Sequence, residues 1–147
     1  MKAVMFYWSR YGNGKRIIEY LDKTLKEKKV ESQMLQIEEA NPQSLPEADV
    51  YVFSAPAEAF SIARPMKSFM KKLEGVDGKK FGIINTHGMK RNWLNTMEKL
   101  LSKKNMIKVA AVDFRVAGDP KTGNALPKGW EEEIESFAEM LYNAKDK

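Results

Sequence analysis

The sequence contains no cysteine and a single histidine, His87. Without cysteine the chain cannot form a disulfide, hold an iron–sulfur cluster or use a thiolate nucleophile, and one histidine cannot build a multi-histidine metal site. Long apolar runs are also lacking, because the run at residues 3–8 is too short for a signal peptide or a membrane-spanning helix. We therefore expect a cytoplasmic protein with no bound metal and no membrane partner.

The chain has 147 residues, the length of one domain, and 43% of them are hydrophobic, which is enough for a core. The formal net charge is +5, and a basic domain can bind nucleic acid or an acidic protein. The basic residues are scattered among acidic ones, and no nucleic-acid-binding motif occurs. We expect a single domain over residues 1–147 and no nucleic-acid partner.

Strand-like apolar runs alternate with amphipathic helical runs along the chain. The predicted strands are 3–8, 30–37, 49–54, 80–85 and 108–116, and the predicted helices are 15–28, 65–74, 92–103 and 129–143. The segment 30–37 alternates polar and apolar residues and is typical of an edge strand, whereas 38–46 contains two prolines and predicts a loop. This alternation predicts an α/β fold: a doubly wound, five-stranded parallel sheet with helices on both faces.

In such sheets ligands bind beyond the carboxyl ends of the strands, so the loops there are the candidate site. The first loop, residues 9–15, reads Ser-Arg-Tyr-Gly-Asn-Gly-Lys and opens a helix, which suits either a phosphate site or a plain turn. It is not a Walker loop, because Gly14-Lys15 is followed by Arg16. It is not a Rossmann fingerprint either, because Ile17 stands in place of the third glycine.

Two further loops follow the third and fourth predicted strands. Residues 54–66 are rich in small side chains that would let a flat ligand approach, and Phe60 could lie on a ring or enter the core. In residues 86–93, His87 is expected to be an exposed loop histidine without a role, and Trp93 is expected to pack on the core.

The first strand ends in Trp8-Ser9 without paired acidic residues, so a phosphoacceptor receiver domain is excluded.

Taken together, these loops resemble those of flavodoxin and the wider flavodoxin-like family. Residues 3–14 resemble the family's first strand and its Ser/Thr-x-Thr-Gly-Asn-Thr phosphate loop. Ser54-Ala55-Pro56 is similar to the second-loop proline motif, residues 62–69 to the helix entry after it, and Thr86-His87-Gly88 stands where many members have Thr-Tyr-Gly. The resemblance covers essentially the whole chain, with Tyr11 and Gly14 in place of two threonines of the phosphate loop.

This resemblance implies FMN as a noncovalently bound cofactor, which carries the chemistry. The implied cofactor-binding residues are Ser9, Arg10, Tyr11, Gly12, Asn13 and Gly14 around the phosphate, Ser54, Ala55, Pro56, Ala57 and Phe60 on one side of the ring, and Thr86, His87 and Gly88 on the other. No catalytic residue is implied.

The implied function is electron transfer between redox partner proteins by a monomer or weak dimer. An FMN-dependent NAD(P)H or quinone reductase and a protein-binding module without FMN are the alternatives. Four basic residues on the ligand-side loops, Arg10, Arg64, Lys90 and Arg91, stand against one acidic residue, Glu58. We therefore expect partners with an acidic docking surface, and a second flavin reduction potential less negative than that of acidic relatives.

Overall fold

The computed structural model describes residues 1–58, 61–88, 91–116, 122 and 125–146. Six strands and four α-helices are described there. They are β1 Lys2–Tyr7, α1 Asn13–Glu27, β2 Glu31–Gln36, β3 Val50–Glu58, β4 Ser61–Ile62, α2 Arg64–Lys71, β5 Lys80–His87, α3 Leu94–Ser102, β6 Ile107–Arg115 and α4 Trp130–Asn143.

Five parallel strands form the main sheet in the order β2-β1-β3-β5-β6. The order reverses beside β1, because the chain first adds β2 on one side and then returns to add β3 on the other. This is the flavodoxin-like order of doubly wound sheets. The predicted α/β class, the five parallel strands and the edge position of β2 are confirmed.

Two hydrophobic clusters cover the two faces of the sheet, and β1 contributes alternate residues to each. Ala3 and Met5 pack in the cluster that contains α1 and α4, whereas Val4 and Phe6 pack in the cluster that contains α2 and α3. All four side chains are fully buried. The near-continuous apolar run of β1 therefore reflects burial on both faces.

Helix α4 comes very close to the sheet over one residue of β5. A Cβ atom on Gly82 would lie 2.8 Å from Cζ of Phe137 and 3.0 Å from Cδ2 of Leu141. Real Cβ atoms do not approach other atoms so closely, so the missing side chain is what admits the Phe137 ring. This contact positions α4 against the strand that ends at the candidate site.

Two strands run further than the sequence predicts. β3 continues from 54 to Glu58 and pairs there with the antiparallel β4, and β5 continues from 85 to His87. Pro56 lies past the last β1–β3 pair, Tyr7 with Ser54, so its missing N–H removes no bond to β1. Much of the predicted second loop is therefore a hairpin, and Thr86 belongs to a strand.

Candidate functional site

A cavity of about 250 Å³ opens at the carboxyl ends of β1, β3 and β5, beside the strand-order reversal. It is lined by Ser9, Arg10, Tyr11, Asn13, Gly14, Pro56, Ala57, Glu58, Thr86, His87, Gly88 and Val116. The three loops singled out in the sequence therefore meet at one place, where doubly wound folds bind their ligands. Phe60 lies outside the described residues.

The first loop ends at Gly12, which has a left-handed backbone conformation and is the N-cap residue of helix α1. Gly12 has φ +99°, a conformation that L side chains rarely adopt. Its N–H donates to the Ser9 hydroxyl oxygen at 3.1 Å, which leaves the Ser9 O–H able to donate elsewhere. A Cβ at Gly14 would lie 3.5 Å from Ser9 Oγ and 3.8 Å from Ser54 Oγ, so the buried Ser54 sits directly beneath the loop.

Helix α1 begins two residues earlier than predicted, at Asn13, and its amino end faces the cavity. Among the described residues no side chain caps this end, and its first turn contains no acidic residue. The first N–H groups of a helix have no partner within the helix and carry partial positive charge. This end of the cavity is therefore suited to an anion.

Asn13 is buried, and its side chain holds the start of α1 in position. Its Oδ1 accepts a hydrogen bond from the Ala125 N–H at 3.0 Å, so the start of α1 is tied to the segment that leads into α4. The sequence interpretation assigned Asn13 to phosphate binding alone. The structure adds a positioning role for its side-chain oxygen.

A charged pair joins the first two loops at the cavity. The Arg10 guanidinium donates from Nε and from its terminal nitrogen to the two carboxylate oxygens of Glu58, at 2.5 and 3.0 Å. This bond and the negative charge raise the pKa of Arg10. Arg10 also lies over the Trp8 ring, 5.2 Å from its centroid. The positive charge of Arg10 is thus offset by Glu58, the single acidic residue among the four basic residues of the ligand-side loops.

Asn85 holds the other two loops together, and the sequence interpretation missed it. The side chain is fully buried at the end of β5. Its Nδ2 donates to the Ala55 carbonyl and its Oδ1 accepts from the Trp93 N–H, both at 3.0 Å. One amide therefore fixes the β3 end and the α3 entry relative to each other. The available signal was a polar amide directly after the apolar residues Ile83 and Ile84 of the strand.

His87 is buried and hydrogen-bonded, so the prediction of an exposed histidine is wrong. It stands at the end of β5, and its Nε2 lies 2.7 Å from a carboxylate oxygen of Asp113 on the neighbouring β6. The contact is diagonal across the two strands: Asn85 is directly opposite Asp113, and His87 lies two residues further along on the same face. The cavity thus has an imidazole in its wall, oriented by a carboxylate.

Trp93 is half-buried against the core cluster of α2 and α3, which agrees only partly with the expected core position. The Arg91 guanidinium stacks over its ring at 4.6 Å from the centroid. Lys90, another of the four basic residues on the ligand-side loops, lies outside the described residues.

Several solved structures share this fold. A flavodoxin from the domain Archaea superposes with a TM-score of 0.80 at 17% identity and covers 100% of both chains. The flavodoxin of Streptococcus pneumoniae TIGR4 gives 0.77 at 15% identity over 98% of this chain and 99% of the other. Rubredoxin oxygen:oxidoreductase from Desulfovibrio gigas gives 0.83 at 13% identity over 99% of this chain and 36% of that longer one.

No protein-family model and no curated protein sequence matches the chain. At identities of 13–17% the structural similarity establishes the fold alone. The chain has the flavodoxin-like fold, as the resemblance of its loops predicted.

Within the described ranges, no helix is both long and apolar enough to cross a bilayer. In the same part of the chain, no group of three or more metal-ligating side chains is positioned to hold a metal ion.

Proposed function

We propose that the protein binds FMN in this cavity and carries electrons between redox proteins in the cytoplasm. The observation that supports this most strongly is the uncapped amino end of α1, which meets two walls of small residues in one cavity. An anion site beside a slot for a flat ring is what FMN requires.

The residues present fit the phosphate of FMN. The Ser9 O–H and the backbone N–H groups at the start of α1 are donors on the cavity side. Arg10 also lines the cavity, with its charge offset by Glu58. Two threonine hydroxyls expected from the family pattern are replaced by Tyr11 and Gly14. Backbone donors and the helix end therefore supply most of the anion binding.

The remaining walls fit the ring. Pro56 and Ala57 on β3 line the cavity together with Thr86, His87 and Gly88 at the end of β5, and would flank the ring. Tyr11, another lining residue, is an exposed aromatic side chain. At about 250 Å³ the cavity is smaller than most ligand pockets, so part of the ring would stay outside it. When bound, FMN supplies one- and two-electron transfer, and an exposed ring edge suits transfer to another protein.

FMN titration of the protein tests this proposal directly. We expect flavin fluorescence to be quenched at micromolar FMN or below, and FAD to bind far more weakly because the cavity offers a single phosphate site. No quenching at high micromolar FMN would contradict the proposal and would support a protein-binding module without a flavin.

A reductase is the second candidate, and the His87–Asp113 pair favours it. A buried imidazole that is oriented by a carboxylate at 2.7 Å and lines the cavity could exchange a proton with a reduced substrate. Steady oxidation of NADPH or NADH with a quinone acceptor, lost in His87→Gln, would support this alternative. An electron carrier should show no such turnover without a partner protein.

Glu58→Gln should make the second flavin reduction potential less negative. The substitution removes a negative charge at the cavity and releases the Arg10 guanidinium from its carboxylate partner. A unit charge in a wet surface site contributes roughly 0.5–1 kcal/mol to such an equilibrium, which corresponds to tens of millivolts. Potentiometric titration of both proteins measures the shift.

Glu19→Gln is the control for this potential, because it makes the same charge change on an exposed position of α1. It should leave the potential as in the native protein. An unchanged potential in Glu58→Gln would show that the pair does not affect the flavin, and a more negative one would show that the predicted sign is wrong.

A further inference from the structure

Helix α2 carries a continuous basic face, which we call the α2 strip: Arg64, Lys67, Lys71 and Lys72. At helical spacing these residues share one side of α2 and its last turn. The opposite side, with Met66, Phe69 and Met70, is buried in the core. The strip lines a shallow groove of about 430 Å³ together with Ser68.

The cations of the α2 strip make no ion pair within the described part of the chain. The ion pairs seen there use other basic residues, among them Arg10, Lys26, Lys28 and Lys108. Lys67 and Lys71 are four residues apart on the same helix, where like charges destabilise by a few tenths of a kcal/mol. The strip therefore keeps a repulsion between like charges that a bound anionic partner would relieve.

The α2 strip begins beside the candidate site. One residue, Ala63, separates β4 from Arg64, and β4 pairs with Ala57 and Glu58, which line the cavity. A molecule seated on the strip would thus lie next to the cavity mouth. On the rim itself the charge of Arg10 is offset by Glu58 and the Arg91 guanidinium is stacked on Trp93. The four cations of the α2 strip, unlike Arg10, have no carboxylate partner among the residues that the structure describes.

We propose that the α2 strip is the docking surface for an acidic redox protein, which it holds against the cavity mouth. This inference rests on the proposed electron-carrier function. The strip spans eight residue steps, about 12 Å of helix, and the one aromatic residue within it, Phe69, is buried. It therefore offers charge complementarity to a cluster of carboxylates and no exposed ring for stacking bases.

The test uses a plant-type [2Fe–2S] ferredoxin as the acidic probe and ¹⁵N-labelled protein prepared without FMN. We expect amide shifts concentrated in residues 64–72, and a dissociation constant that rises steeply with salt because surface charges are screened. Lys67→Glu with Lys71→Glu should weaken binding by more than about tenfold, since opposite charges become like charges.

The matched control is Lys23→Glu with Lys29→Glu, the same charge change at two exposed residues. Lys23 lies on α1 and Lys29 follows it, and α1 packs in the cluster on the other face of the sheet. This control should change the dissociation constant less than about twofold, because its charges lie away from the strip. Melting curves of both double variants should remain close to that of the native protein, since the changed side chains are at the surface.

The proposal is overturned if the shifts map elsewhere, if the α2 double variant binds like the native protein, or if the ferredoxin does not bind at low salt. It is also overturned if a single-stranded oligonucleotide or a phosphatidylserine vesicle occupies residues 64–72 and the ferredoxin does not. These outcomes are independent of FMN titration, because the docking assay uses protein without flavin. Loss of FMN binding and loss of docking are therefore distinguishable.

Discussion

Replacing Gly12 with valine is expected to weaken FMN binding by more than about tenfold, which corresponds to about 1.4 kcal/mol. Gly12 has φ +99°, where a β-branched residue costs roughly 1–3 kcal/mol. The chain can relieve this strain only by moving the residue that starts α1, and this movement displaces the N–H groups that face the phosphate. Fluorescence titration gives the affinity and a urea curve gives the stability.

Gly75→Val separates strain from binding. Gly75 also has a positive φ, +72°, and no atom lies within 4 Å of the Cβ that a side chain would place there. It follows α2, away from the cavity. The variant should lose a similar free energy of unfolding and keep its FMN affinity. If Gly12→Val kept native affinity as well, the phosphate would have to bind elsewhere.

Asn85→Ala should lower the free energy of unfolding by roughly 2–4 kcal/mol. The substitution leaves the Ala55 carbonyl and the Trp93 N–H without their side-chain partner, and each unsatisfied buried group costs about 1–3 kcal/mol. FMN affinity should fall too, since the two loops that flank the ring lose their common anchor. Urea unfolding and FMN titration of the same sample measure both effects.

Asn95→Ala is the matched control, because it removes an asparagine from an exposed position of α3. Its stability should stay within about 0.5 kcal/mol of the native value. A loss below 1 kcal/mol in Asn85→Ala would show that water or a neighbouring group replaces the amide.

The sequence predicted the fold class because apolar periodicity reports burial directly. β1 reads as a continuous apolar run since both of its faces are covered, and α1 shows its inward stripe at Ile17, Ile18 and Leu21. The position of the site also followed, because the carboxyl ends of parallel strands share one edge. These conclusions depend on patterns within single segments.

Contacts between distant segments could not be predicted in the same way. The Asn13–Ala125 and His87–Asp113 bonds join residues far apart in sequence, and which polar groups meet depends on strand register. The register of β5 against β6 contains an irregularity between Phe81 and Gly82, which no local pattern indicates. His87 was misjudged for this reason: its partner is on a neighbouring strand.

The close contact between Gly82 and Phe137 also constrains how these two positions can change in evolution. The Phe137 ring occupies the space where a side chain at residue 82 would begin, and hydrophobicity alone gives no reason for glycine in a buried strand. A larger residue at 82 requires a smaller one at 137, so the two positions should vary together among descendants of this chain. The fit between α4 and β5 can thus be kept by paired substitutions at 82 and 137, even where neither residue stays the same.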